Sequence, residues 1–141
     1  MLVTSRLRLL AVEPAHREAF ARGTSELAAA LRAGIPQGWP QFPHALAPLP
    51  PGGSAKPAPW GGYVFIHAQE RMLAGNGGFK GPPDAAGVVE IGYEIAPAYR
   101  GRGLATEAVK ALVAQTAVTV SCMNASATSA LTASVARPRP R

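Results

Sequence analysis

The residues with the plainest chemical meaning are Arg100-Gly101-Arg102-Gly103-Leu104-Ala105. They follow an apolar run, Val88 to Ile95, and lead into a stretch of helical period from Leu104 to about Gln115. Backbone amides that no side chain shields, placed at the start of a helix, form an anion site, and the helix dipole favours negative charge there. Glycine at 101 and 103 lets the backbone approach a ligand closely. Arg100 and Arg102 add positive charge suited to phosphate. The chemistry implied is retention of a phosphate-bearing ligand on the amides of Gly101 to Thr106; the alternative is a tight strand-to-helix turn with no ligand. Glu90 is the candidate proton acceptor. A period of two puts Val88, Glu90, Gly92 and Glu94 on one face and Val89, Ile91, Tyr93 and Ile95 on the other. A glutamate inside so apolar a strand is expected to be partly buried, which raises its pKa toward a useful range. The competing reading pairs it with Arg6 or Arg8 across a sheet.

The turn resembles the R/Q-x-x-G-x-G/A pattern of the GCN5-related N-acetyltransferases, with Arg100, Gly103 and Ala105 at the marked positions. Glu90-Ile91-Gly92-Tyr93 before it, Ala105-Thr106-Glu107-Ala108 after it and the opening Thr4-Ser5-Arg6-Leu7-Arg8-Leu9 resemble the ribosomal-protein N-acetyltransferase branch. A glycine turn alone is weak evidence, whereas the whole strand–turn–helix run is specific. The resemblance covers Leu2 to Leu112 and implies transfer of an acetyl group from acetyl-coenzyme A directly to a primary amine, either a protein N-terminus or a small amine. It implies further that Tyr93, Glu94 and Ile95 pair their backbone with the pantetheine arm, and that Arg100, Gly101, Arg102, Gly103, Leu104, Ala105 and Thr106 hold the pyrophosphate. Glu90 becomes the general base. No metal is implied. A truncated acyl-coenzyme A binder without turnover, or an inactive remnant, is the alternative: in this family a tyrosine or serine beyond the fifth strand often protonates the thiolate, and no tyrosine follows Tyr99. Asn124, Ser121 and Ser126 remain as polar contacts to the cofactor.

Positioning these groups requires a sheet and its supports. Ser5 to Val12 reads as a first strand, and Pro14 opens a helical region that Gly23 divides in two, with Thr24 or Ser25 as the second cap. Tyr63 to Gln69 and Met72 to Phe79 read as strands around a turn at Glu70-Arg71. Gly75, Gly77 and Gly78 indicate a bulge or close packing. Ala117 to Cys122 reads as a strand after the motif helix, in which Leu104, Ala108, Ala111 and Leu112 share a face. This is an α+β pattern, with a mixed, mostly antiparallel sheet flanked by helices.

Gly34 to Gly62 holds eight of the 14 prolines and both tryptophans, so it is a long loop. Trp39, Phe42 and His44 are either a wall for the acceptor substrate or anchors that pin this loop; anchoring is the commoner use of such residues. His67 reads as structural.

Composition narrows the class. The chain has 141 residues, 48% apolar and 16% charged, as a folded domain requires. One cysteine, Cys122, forms no internal disulfide, which fits a cytoplasmic setting. No apolar run is long enough to span a membrane. The net charge of +6 is concentrated late, since every acid lies at or before Glu107. Without an RNA- or DNA-binding motif beside it, this charge is only a weak argument for nucleic acid, which is not expected as a partner. Residues 1–122 read as the acetyltransferase domain and 123–141 as an Ala/Ser/Thr-rich segment with a basic tail. There the family's Lys-x-Gly-Phe segment is missing, so its last strands are expected to be absent and an exposed sheet edge could pair two copies into a homodimer.

Overall fold

Alternation of apolar residues builds most of the sheet, and proline and glycine set its ends. The computed structural model describes residues 1–40, 46, 47, 49, 60–80, 82, 85, 88–114 and 119–124, with only the backbone of Val88 and of 119–124. Strand β1 (Leu2–Val3) pairs with β2 (Leu7–Ala11), and helices α1 (Pro14–Arg22) and α2 (Thr24–Leu31) follow. Strands β3 (Gly62–His67), β4 (Met72–Phe79) and β5 (Val88–Ile95) come next. A 3-10 turn at Pro97–Tyr99 then leads into α3 (Leu104–Ala114) and β6 (Thr119–Asn124).

The six strands lie in chain order, antiparallel from β1 to β5, with β6 parallel to β5. Parallel neighbours need a crossover, and α3 supplies it. The expected α+β architecture with a mixed, mostly antiparallel sheet is therefore present. The last strand runs two residues later than the sequence suggests, ending at Asn124 instead of Cys122. Residues 125–141 lie outside the described residues, as do Phe42 and His44.

Gly23 ends one helix and starts the next. Its N–H donates to the carbonyls of Ala19 and Phe20, and its own carbonyl accepts from Leu27 N–H. The second cap is thus Gly23 and not Thr24 or Ser25, because one residue at φ 143° serves both helix ends. On β4, the register passes from Phe65↔Gly75 to Ile66↔Leu73, leaving Ala74 as the extra residue of a bulge. A side chain at Gly75 would overlap the Glu94 carbonyl, and one at Gly78 the Gly61 carbonyl. The glycines of β4 thus mark both a bulge and close strand approach.

Both faces of the sheet carry buried residues. Val89, Ile91, Tyr93 and Ile95 are buried on one face of β5 and Glu94 on the other. The α3 stripe comprises Leu104, Ala108, Val109, Leu112 and Val113, packed toward β1, β2 and β5. Ala111 is only half-buried, because the larger valines turn the apolar face of the helix toward themselves.

Trp39 belongs to this core. It is 5% exposed, stands edge-on to Phe20 at 6.2 Å, and donates Nε1–H to Asn76 Oδ1 at 2.8 Å. Asn76 shares a face with Glu94, its partner in register. The anchoring role is the one this geometry supports for Trp39: it pins the start of the long loop to the sheet. Replacing it with phenylalanine keeps most of the apolar area and strands the buried Asn76 oxygen. Trp39→Phe is expected to cost about 1–3 kcal/mol of stability. Urea unfolding would measure this, and an unchanged midpoint would show that Asn76 finds another partner.

Candidate active site

The turn between β5 and α3 is built by dihedral constraint. Gly101 and Gly103 adopt φ +75° and +76°. That region costs a residue with a Cβ about 1–2 kcal/mol. A Cβ on Gly101 would meet nothing within 4 Å, whereas one on Gly103 would lie 3.6 Å from an Arg6 guanidinium nitrogen; Gly101, Arg102 and Gly103 are all exposed. The first bond of α3 runs from Glu107 N–H to the Gly103 carbonyl. Among the described residues, no backbone amide from Gly101 to Thr106 donates to another backbone carbonyl. These are the orphan donors of a helix start, gathered at an open surface, and they fit an anionic phosphate group.

The strand edge beside the turn is narrower than the sequence suggests. Lys80 N–H donates to the Glu90 carbonyl and Ala96 N–H to the Ala74 carbonyl, so the even-numbered residues of β5 turn their backbone toward β4. The odd-numbered residues turn theirs toward β6, whose register ends at Tyr93↔Asn124. Of Tyr93, Glu94 and Ile95, the first therefore faces β6 and the second β4. Ile95 alone presents its backbone beyond the last described residue of β6. Its carbonyl accepts Arg100 Nε–H at 3.0 Å, leaving its N–H as the group aimed at that edge. All three side chains are buried, so contact with a cofactor arm would fall to the backbone.

The two arginines are held by the protein itself. Arg100 locks the Ile95 carbonyl. The Arg102 guanidinium lies 5.0 Å above the Tyr99 ring and 3.9 Å from Glu70 Oε2. Tyr99 donates its hydroxyl to Glu70 at 3.0 Å. Burial, the Glu70 hydrogen bond and the Glu70 charge push the Tyr99 hydroxyl above its ordinary pKa, against a smaller opposing effect of Arg102. Tyr99 thus stays a protonated donor. His67 accepts the Glu70 N–H on Nδ1 at 3.2 Å and caps the β3–β4 turn, a structural use.

Sequence reasoning overlooked the contacts on the other side of the turn. Glu107, on the first turn of α3, accepts Arg6 N–H at 2.9 Å, Arg6 Nε–H at 2.8 Å and the Thr4 hydroxyl. Arg6 also donates Nη1–H to the Arg102 carbonyl at 2.8 Å. Arg6 therefore pairs with Glu107 and not with Glu90. The Thr4-Ser5-Arg6 opening and the Thr106-Glu107 segment both carried the family resemblance, but their meeting across about a hundred residues is a tertiary fact.

Glu90 is exposed, which corrects the expectation of partial burial. The reason is position: no described element covers its face there, whereas Glu94 on the same face is 1% exposed beside Asn76. Asn124 stands opposite Tyr93 in the β5–β6 register. No group of three or more His, Cys, Asp or Glu side chains able to hold a metal occurs among the described residues. No helix there is long and apolar enough to cross a membrane.

The Glu107 cluster gives a pH signature. Burial works to raise this carboxyl, but the hydrogen bonds from Thr4 and Arg6 and the Arg6 charge outweigh it and hold the pKa below its ordinary value. A carboxyl lowered on folding contributes stability above the unfolded-state value, about 4.3, and loses it as the pH falls through the folded value. Thermal unfolding between pH 6 and pH 2 should therefore show an acid-induced loss that is shallower in Glu107→Gln. Equal slopes in both proteins would refute the assignment.

Three comparisons with known proteins bear on this arrangement. The chain matches the acetyltransferase (GNAT) domain family over residues 6–136, which takes in β6 and the Ala/Ser/Thr-rich segment. Among solved structures it is similar to an acetyltransferase of the GNAT family from Bacillus anthracis. The identity is 21%, the match covers 79% of this chain and 63% of that one, and the TM-score is 0.44. It is also similar to a GCN5-related N-acetyltransferase from Sphaerobacter thermophilus, with 16% identity, 77% and 31% coverage and a TM-score of 0.43. The chain thus spans less than two thirds of the length of either protein. No curated protein matches it. With a strand, a two-glycine turn and a helix start at its centre, and the family match across nearly its whole length, the chain belongs to the GNAT acetyltransferases.

Proposed function

We propose that this protein transfers an acetyl group from acetyl-coenzyme A to a primary amine by direct transfer in a ternary complex. The observation that carries the reading is the pair of left-handed glycines, 101 and 103, opening onto the start of α3 with their amides uncommitted. The amides of Gly101 to Thr106 would hold the pyrophosphate, and the Ile95 N–H would bind the pantetheine arm. The bound thioester supplies an activated acetyl carbon. Glu90, exposed to solvent, would take the proton of the amine through water. Asn124, at the same strand end, would add a polar contact. The acceptor is a protein N-terminus or a small amine, as in the ribosomal-protein branch, acting in the cytoplasm.

A second reading, acyl-coenzyme A binding without turnover, draws support from one observation. No tyrosine follows Tyr99 to protonate a departing thiolate, and the exposed Glu90 gains no help from desolvation.

Calorimetric titration with coenzyme A tests the site, and thiol release with candidate amines tests turnover. Gly103→Glu puts a carboxylate and a strained φ into the turn. It should weaken coenzyme A binding by at least about tenfold, the equivalent of one charge-assisted hydrogen bond. Its circular dichroism spectrum should stay folded. Equal affinity in both proteins would sink the site. Glu90→Gln should lower kcat about a hundredfold or more if the carboxylate acts as the base. Unchanged turnover would remove it from the mechanism.

A further inference from the structure

Arg6 has a geometry that simple pairing with Glu107 does not explain. Its guanidinium divides between two acceptors 2.8 Å away, Glu107 Oε1 through Nε and the Arg102 carbonyl through Nη1. The Arg102 carbonyl and the Gly103 N–H belong to one trans peptide, so they point in opposite directions. A donor that fixes the carbonyl on one side therefore fixes the N–H on the other. The same coupling is visible at Ile95, whose carbonyl takes Arg100 Nε–H while the next N–H, of Ala96, donates the other way to Ala74. A flexible two-glycine turn needs such a constraint, because each glycine is free to flip its peptide.

Glu107 adds an electrostatic requirement. A carboxylate one turn into α3 places negative charge close to where a phosphate would sit. Here that charge is met by the Arg6 guanidinium, by Arg6 N–H and by the Thr4 hydroxyl, all on the side of the β1–β2 turn. Thr4 is itself tied down, since its hydroxyl accepts Leu7 N–H at 2.9 Å and its N–H donates to the Leu7 carbonyl at 2.8 Å.

We propose that Arg6 is a positioning residue of the phosphate turn: it aims the Gly103 amide at the ligand phosphate and neutralises Glu107 beside it. This rests on the reading of the turn as a coenzyme A site. Arg6 acts through the Arg102–Gly103 peptide and through Glu107, and its own contact with the ligand is not required. A lysine cannot replace it, because a single ammonium lacks the planar fork that reaches two acceptors in fixed directions.

The test is calorimetric titration of coenzyme A into the wild type, Arg6→Ala, Arg6→Lys, Glu107→Gln and the Arg6→Ala/Glu107→Gln double variant, each checked for folding by thermal melt. Arg6→Ala should weaken binding by about tenfold, the equivalent of one charge-assisted hydrogen bond. Arg6→Lys should also fall below the wild type, and it serves in place of the alanine variant should that one not fold. The double variant should bind more tightly than Arg6→Ala, because the unneutralised carboxylate is gone; a merely structural clamp predicts no such recovery. Arg6 variants that bind within twofold of the wild type, while Gly103→Glu does not bind, would overturn the role of Arg6 and leave the site standing. A double variant no tighter than Arg6→Ala would overturn the neutralising role. A folded wild type that binds no coenzyme A would remove the site and this inference together.

Discussion

A chain that passes from a strand into a helix must exchange ladder hydrogen bonds for helical ones, and in between some backbone amides have no partner. Here that exchange occurs between Ile95 and Glu107, and the rest of the protein is arranged around it. Gly101 and Gly103 take left-handed dihedrals that release the chain from the sheet direction into the helix axis. Gly101, Arg102 and Gly103 are exposed, and these amides make no backbone hydrogen bond among the described residues. A buried helix start of this kind would be a fault in the fold, while an open one is a place to bind an anion.

Two sets of contacts hold the turn in that state, and they come from opposite directions in the chain. From the β1–β2 turn, Thr4 and Arg6 grip Glu107 and the Arg102 carbonyl. From the β3–β4 turn, Glu70 takes the Tyr99 hydroxyl and lies near Arg102. The exposed ion pairs among these contribute little stability one by one. Their effect is directional: each fixes the orientation of a peptide or ring at the turn. The loop that begins at Gly34 is held separately, through Trp39 on Asn76 and Phe20, so its anchoring does not depend on the phosphate turn.

The β5 edge shows how pairing limits function. A strand has two edges, and β5 uses one for β4 from Ile91 to Ile95 and the other for β6 from Val88 to Tyr93. Past Tyr93 the next backbone on that side is that of Ile95, whose carbonyl Arg100 holds. The groups that the turn leaves without a backbone partner are main-chain amides, which a side-chain motif shows only indirectly.

Much of this was legible in the residues. Period-two alternation from Val88 to Ile95, proline at 97, glycines at 101 and 103 and the apolar spacing after Leu104 are local signals, and local signals determine strand, turn and helix without help from distant chain. The split of the first helix at Gly23 and the turn at Glu70-Arg71 follow from backbone preference in the same way. What the fold alone decided were contacts between segments far apart in sequence. Glu90 and Glu94 share a face by alternation, yet one is exposed and the other buried, because cover over a face comes from other elements. Trp39 became an anchor because Asn76 and Phe20 converge on it. Arg6 found Glu107 instead of Glu90 because sheet order and the α3 crossover bring the first turn of the chain beside the first turn of α3. Sequence spacing encodes the direction of each side chain along its own element; only tertiary packing assigns it a neighbour.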